Sequence, residues 1–154
     1  MKHRLVTIIA TVGLAVGFGI TPVSAAPPVT TTTHEKGLVE TFLDVLPTCD
    51  NSGAAYEITT TSNFVFHETL FDDGRVHATF TQTGTFVATN PTLPDYTGKF
   101  TIWGGFNANG KTANGTFTFT VHGTGDDGST FKTHFMDHFN LRPDGSVNEF
   151  FRCH

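Results

Sequence analysis

The chain runs to 154 residues, with 16 phenylalanines, 16 glycines and a formal net charge of −5. An acidic balance disfavours an electrostatic binder of nucleic acid or of anionic membrane, and the length suits one ordinary domain. Two cysteines are too few for a zinc cluster and lack the C-x-x-C spacing of a redox centre.

The N-terminus opens with Lys2, His3 and Arg4, continues as an apolar run from Leu5 to Ile20, and reaches Val23-Ser24-Ala25 ahead of Ala26 and Pro27. That order of basic, apolar and small residues is a secretory signal peptide, residues 1–25, with cleavage expected after Ala25 rather than retention as an anchor. The apolar run is shorter than the roughly 20 residues that cross a bilayer, so no membrane insertion of the mature protein is expected. No cysteine follows it, which argues against a lipoprotein. Losing Lys2 and Arg4 takes the charge from −5 to −7 (−5 − 2). Export to an oxidising compartment makes a Cys49–Cys153 disulfide the expected fate of the two thiols.

Residues 26–34 are rich in proline and threonine and read as a flexible leader to a domain spanning 35–154. Beyond them phenylalanine and threonine recur at every second position, the period of a strand. Asp72-Asp73-Gly74, Asp126-Asp127-Gly128 and Pro143-Asp144-Gly145 each suit a three-residue hairpin loop closed by glycine in the left-handed conformation. The first sets Phe66 against Phe80 and Glu68 against Ala78. The second sets Phe119 against Phe135 and Phe117 against Asp137; the third sets Leu141 against Val147 and Asp137 against Phe151. Asn109-Gly110, read as a two-residue hairpin, sets Phe100 against Phe119 and Ile102 against Phe117.

These turns predict strands over Leu38–Val45, Tyr56–Ser62, Phe64–Phe71, Val76–Ala88, Tyr96–Asn107, Ala113–Gly123, Ser129–Leu141 and Val147–Cys153. An up-and-down run of eight predicts an all-β, eight-stranded antiparallel barrel, with a β-sandwich as the alternative. The inner face collects Phe64, Phe66, Phe80, Phe86, Phe100, Ile102, Phe106, Phe117, Phe119, Phe131, Phe135, Phe139 and Phe151, with Gly84, Gly98, Gly104 and Gly115 between them. Threonines, Lys99, Lys132, Trp103 and most histidines fall on the outer face, where threonine suits a solvated strand.

Among the inner phenylalanines stand Glu68, Asp137 and Glu149, and carboxylates there are rare unless paired or functional. Asp137 and Glu149 are diagonal neighbours, with Cβ atoms on the order of 7 Å apart. The candidate ligand-binding set is therefore Glu68, Asp137, Glu149, Tyr56, Phe66, Phe117 and Phe135, with Tyr56 as a hydroxyl partner for the acids. On the outer face His122, His134 and His154 lie on successive strands, with His67 and His77 as a second pair; solvated strand histidines account for them, and no metal or other cofactor is expected. No G-x-S-x-G nucleophile motif occurs, and the glycine-rich stretches precede no helix that would hold a phosphate.

Phe66-His67-Glu68-Thr69, Thr81-Gln82-Thr83-Gly84-Thr85-Phe86, Tyr96-Thr97-Gly98-Lys99-Phe100 and Val121-His122-Gly123-Thr124-Gly125 resemble a family of uncharacterised secreted actinobacterial β-barrel proteins across nearly the whole mature chain. That resemblance implies no particular activity. The rhythm of Gly84-Thr85-Phe86, Gly98-Lys99-Phe100 and Gly115-Thr116-Phe117 is similar to the allene oxide cyclase and dirigent-type barrels, which bind apolar substrates inside and steer their cyclisation or coupling. The expectation for function is a secreted module that binds a small apolar or aromatic ligand in its interior. The alternatives are a surface or interaction protein using the outer Thr/His/Trp103 face, and a cyclase- or isomerase-like enzyme using the interior carboxylates.

Overall fold

The computed structural model describes residues 26–50 and 52–154, and the segment expected to be a signal peptide lies outside them. Seven antiparallel strands follow one another as hydrogen-bonded neighbours in a single sheet. They are β1 (Val29–Val45), β2 (Ala55–Leu70), β3 (Val76–Thr89), β4 (Tyr96–Ala108), β5 (Ala113–Gly125), β6 (Thr130–Leu141) and β7 (Val147–Cys153).

The three Asp-Gly turns form with one geometry. Gly74, Gly128 and Gly145 have φ of 81°, 83° and 82°, which residues with a Cβ rarely adopt. In each turn a single residue, Phe71, Gly125 or Arg142, donates its N–H across the loop and accepts from the turn glycine. The pairings Phe66–Phe80, Glu68–Ala78, Phe119–Phe135, Phe117–Asp137, Leu141–Val147 and Asp137–Phe151 all occur as the turn chemistry dictates.

The structure corrects four expectations. First, Tyr56–Ser62 and Phe64–Phe71 are not two strands but parts of β2. Asn63 does not turn the chain; its Oδ1 accepts a hydrogen bond from Gly37 N at 3.1 Å, supporting the bulge in β1 where Lys36 and Gly37 together oppose it. Second, the threonines assigned to a flexible leader are strand, since β1 begins at Val29 and Thr32 and Thr33 pair with His67 and Phe66. A run of β-branched residues suits a pleated edge better than a coil.

Third, the loop at Asn109-Gly110 spans Asn109 to Thr112. The Asn109 Oδ1 atom accepts from Lys111 N, Thr112 N and Thr112 Oγ1, which holds the wider turn. The β4–β5 register therefore shifts by two residues, with Phe100 opposite Val121 and Ile102 opposite Phe119. A shift of two leaves every side chain on its expected face. Fourth, the sheet does not close. With seven strands, β1 and β7 run in the same direction and cannot complete an antiparallel ladder, and they share no contacts. The Cys49–Cys153 disulfide bridges the loop after β1 to the end of β7, with a Cα–Cα distance of 5.4 Å.

The sheet curls around its phenylalanines because glycines on the neighbouring strands make room for them. A Cβ on Gly104 would meet the Phe80 ring at 2.5 Å, and one on Gly115 would meet the Phe139 ring at the same distance. The two ends of the curl differ. At one end Tyr56, Ile58, Phe86, Ala88, Phe100 and Val121 form a buried core, covered by Leu46, Tyr96 and Phe131. At the other end the concave face stays open, and along the seam Phe42, Val147 and Phe151 remain exposed.

Two stability outcomes follow. Gly104→Ala is expected to displace the Phe80 ring and cost about 1–3 kcal/mol in denaturant unfolding, the usual range for overpacking; an unchanged midpoint would show the ring is free to move. Reducing the disulfide releases a closure spanning a sequence separation of 104 residues. Urea unfolding with and without reductant should differ by about 2–5 kcal/mol, and equal midpoints would show that the bond carries no stability.

Candidate functional site

The register arranges the concave face in rows, each made of one residue from each strand in turn. One row at the open end runs Thr33, Phe66, Phe80, Gly104, Phe117, Asp137 and Phe151. The next row towards that opening runs Thr31, Glu68, Ala78, Phe106, Gly115, Phe139 and Glu149. Glycine at the β4 position of the first row lets Phe80 and Phe117 approach to 6.3 Å between ring centroids. Glycine at the β5 position of the second leaves a gap between Phe106 and Phe139. Phe80, Phe106, Phe117 and Phe139 line an apolar cavity of about 170 Å³ there, its floor completed by Gly105 and Thr116.

The acids flank this cavity, Glu68 towards β1 and Asp137 with Glu149 towards β7. Asp137 is framed by four rings: Phe117 and Phe151 across the ladder, Phe135 and Phe139 along its own strand. Its Oδ1 atom is buried and receives no hydrogen bond. Burial, then the neighbouring Glu149 charge, push the Asp137 carboxyl above the ordinary carboxylate range.

Phe135 lies one row further in, stacked on Phe119 at 5.8 Å and 5.7 Å from Phe151. The structure thus groups Glu68, Asp137, Glu149, Phe66, Phe117 and Phe135 on one concave surface. It separates Tyr56 from them. Tyr56 is 5 % exposed, at the far end of β2, and packs edge-to-face on Tyr96 at 6.0 Å. Twelve residues (68 − 56) divide it from Glu68, about 40 Å of extended strand, so it is no hydroxyl partner for the acids. The cavity residues Phe80, Phe106 and Phe139 carry the same inner-face signal as Phe66, Phe117 and Phe135; the glycines opposite them, Gly104 and Gly115, are the signal in the sequence that points to them.

The strand histidines among the described residues lie on the convex face, and several bond to cross-strand neighbours. His67, His134 and His138 each share a hydrogen bond through Nδ1 with Thr32, Thr120 and Thr116, at 2.8, 2.8 and 3.0 Å. Among the described residues no three His, Cys, Asp or Glu side chains converge as a metal site. Trp103 is also convex and 45 % exposed. A wider groove of about 380 Å³ lies between the β2–β3 and β4–β5 hairpin tips. Its polar groups already satisfy one another or their neighbours, His77 with Asn107 at 2.7 Å and Arg75 with Asp73 at 2.7 Å, so the apolar cavity is the better candidate.

No protein-family model, curated protein or solved structure matches this chain.

The pH response of the fold has two opposed parts. Asp137 is held up by the fold, so its stabilising contribution is complete in acid and is lost as pH rises through its folded value. Asp73, Asp127 and Asp144 are held down by hydrogen bonds within their turns, and Asp50, held down to about 2 by Ser52 and Thr48, behaves alike. Their contribution is present above the ordinary value of 3.8 and is lost as pH falls through their folded values. Asp137→Asn should therefore melt above the wild type at pH near 7 and close to it in acid. A variant less stable at neutral pH would show that the carboxylate is favoured by the fold.

Proposed function

We propose that the protein is exported, with residues 1–25 removed, and that it binds a small apolar or aromatic molecule on its concave face. The observation that carries this reading is the apolar cavity between Phe80, Phe106, Phe117 and Phe139, in the rows of the sheet that also carry Glu68, Asp137 and Glu149. A concave apolar site with a few convergent polar groups is the usual form of a small-molecule pocket. The disulfide is compatible with an oxidising compartment. The resemblance of the Gly84, Gly98 and Gly115 rhythm to barrels with interior apolar substrates supports the same reading.

The test is native mass spectrometry of the protein purified from its own culture medium, followed by extraction and identification of what co-purifies. The expected result is a stoichiometric apolar or aromatic molecule, lost when Phe106→Asp places a charge in the cavity. Only the mass of the disulfide-bonded chain, with no small molecule retained, would overturn the reading and turn attention to the convex face around Trp103.

A further inference from the structure

Among the described residues, basic side chains are confined to the convex face and the turns, while the convex face also carries Glu57. The concave face carries Glu35, Glu40, Asp44, Glu68, Asp137 and Glu149 and no basic side chain, among the described residues. Lys99, Lys132 and Arg152 point to the convex side, where Arg152 lies over the Phe150 ring at 4.8 Å. Arg75, Lys111 and Arg142 lie in hairpin turns, and Lys36 lies in the β1 bulge opposite the convex-face Asn63. In an ordinary solvated sheet both signs intersperse; here the aromatic hollow sees only negative charge.

Two observations besides the acids bear on what occupies that hollow. The cavity is walled by phenylalanine rings, whose faces attract cations. Beside it, Asp137 Oδ1 is buried with no donor to satisfy it, a cost that a positively charged or N–H-bearing ligand would relieve. A neutral hydrocarbon would leave the oxygen unpaired, and an anion would meet Glu68, Asp137 and Glu149 together.

We propose that the concave face selects organic cations: molecules joining an aromatic or branched apolar group to an ammonium, seated between Phe80, Phe106, Phe117 and Phe139 with the charge towards Asp137 and Glu149. This rests on the proposed ligand-binding reading and adds the charge of the ligand to it. The ring faces and the carboxylates act in the same direction, so the selectivity belongs to the charge and not to shape.

A matched pair of probes separates the two claims. Benzyltrimethylammonium and neopentylbenzene have the same shape and differ in one charged atom. Calorimetric titration of the mature, disulfide-bonded protein should show the cation binding on the order of ten-fold more tightly. The preference should shrink in high salt, which needs no variant. It should also shrink in Asp137→Asn/Glu149→Gln, which leaves the rings in place and removes two of the carboxylates. Equal affinity for the two probes, or a preference undiminished in the variant and in salt, overturns the cation proposal and leaves the ligand-binding reading standing. Failure of both probes to bind overturns both.

Discussion

Phe80, Phe86, Phe100, Phe131 and Phe139 on the concave face each lie over a glycine of a neighbouring strand. A seven-stranded sheet lined on one side by phenylalanine has more side-chain volume than a flat surface can hold, and the glycines of β3, β4 and β5 provide the depth. Phe80 leans over Gly104, Phe139 over Gly115, and Phe86 and Phe131 converge on Gly123. The curl of the sheet, the buried core at one end and the hollow at the other are consequences of where those ring–glycine contacts fall. Around Phe86 and Phe100 the rings interlock into a buried core; between Phe80, Phe106, Phe117 and Phe139 a cavity is left.

The parity of the strands then decides the remaining shape. Seven hairpin-connected strands leave β1 and β7 pointing the same way, and an antiparallel meander needs an even number to close. The seam between them is crossed by the disulfide, which holds the loop carrying Cys49 against the end of β7 while the strand edges stay apart. That arrangement keeps the aromatic hollow accessible from the side as well as from its open end. It also explains why Val147 and Phe151, which alternate onto the inner face, remain more than half exposed.

Local chemistry made most of this legible in the sequence. Three Asp-Gly turns dictate the registers of β2–β3, β5–β6 and β6–β7, and turn chemistry alone puts Asp137 among rings. The errors came from side chains acting at a distance. Asn63 looks like a turn residue, yet its amide serves a bulge in β1 that lies 26 residues away in sequence. Asn109 looks like half of a tight turn, yet its carboxamide oxygen organises a wider one. Closure could not be read because it hinged on whether one residue, Asn63, broke a strand. Tyr56 shares the face of the acids by alternation, but a period of two says nothing about position along the strand.

The account turns on the open hollow being a binding surface rather than an unfilled part of the core. Its most direct test is a titration of the mature protein with naphthalene, followed through the aromatic carbon and proton resonances of assigned phenylalanines. The account predicts saturable shifts at Phe80, Phe106, Phe117 and Phe139, with Phe86 and Phe100 in the buried core unmoved. Shifts confined to Trp103 and the convex threonines, or no saturable shift at any ring, would contradict it.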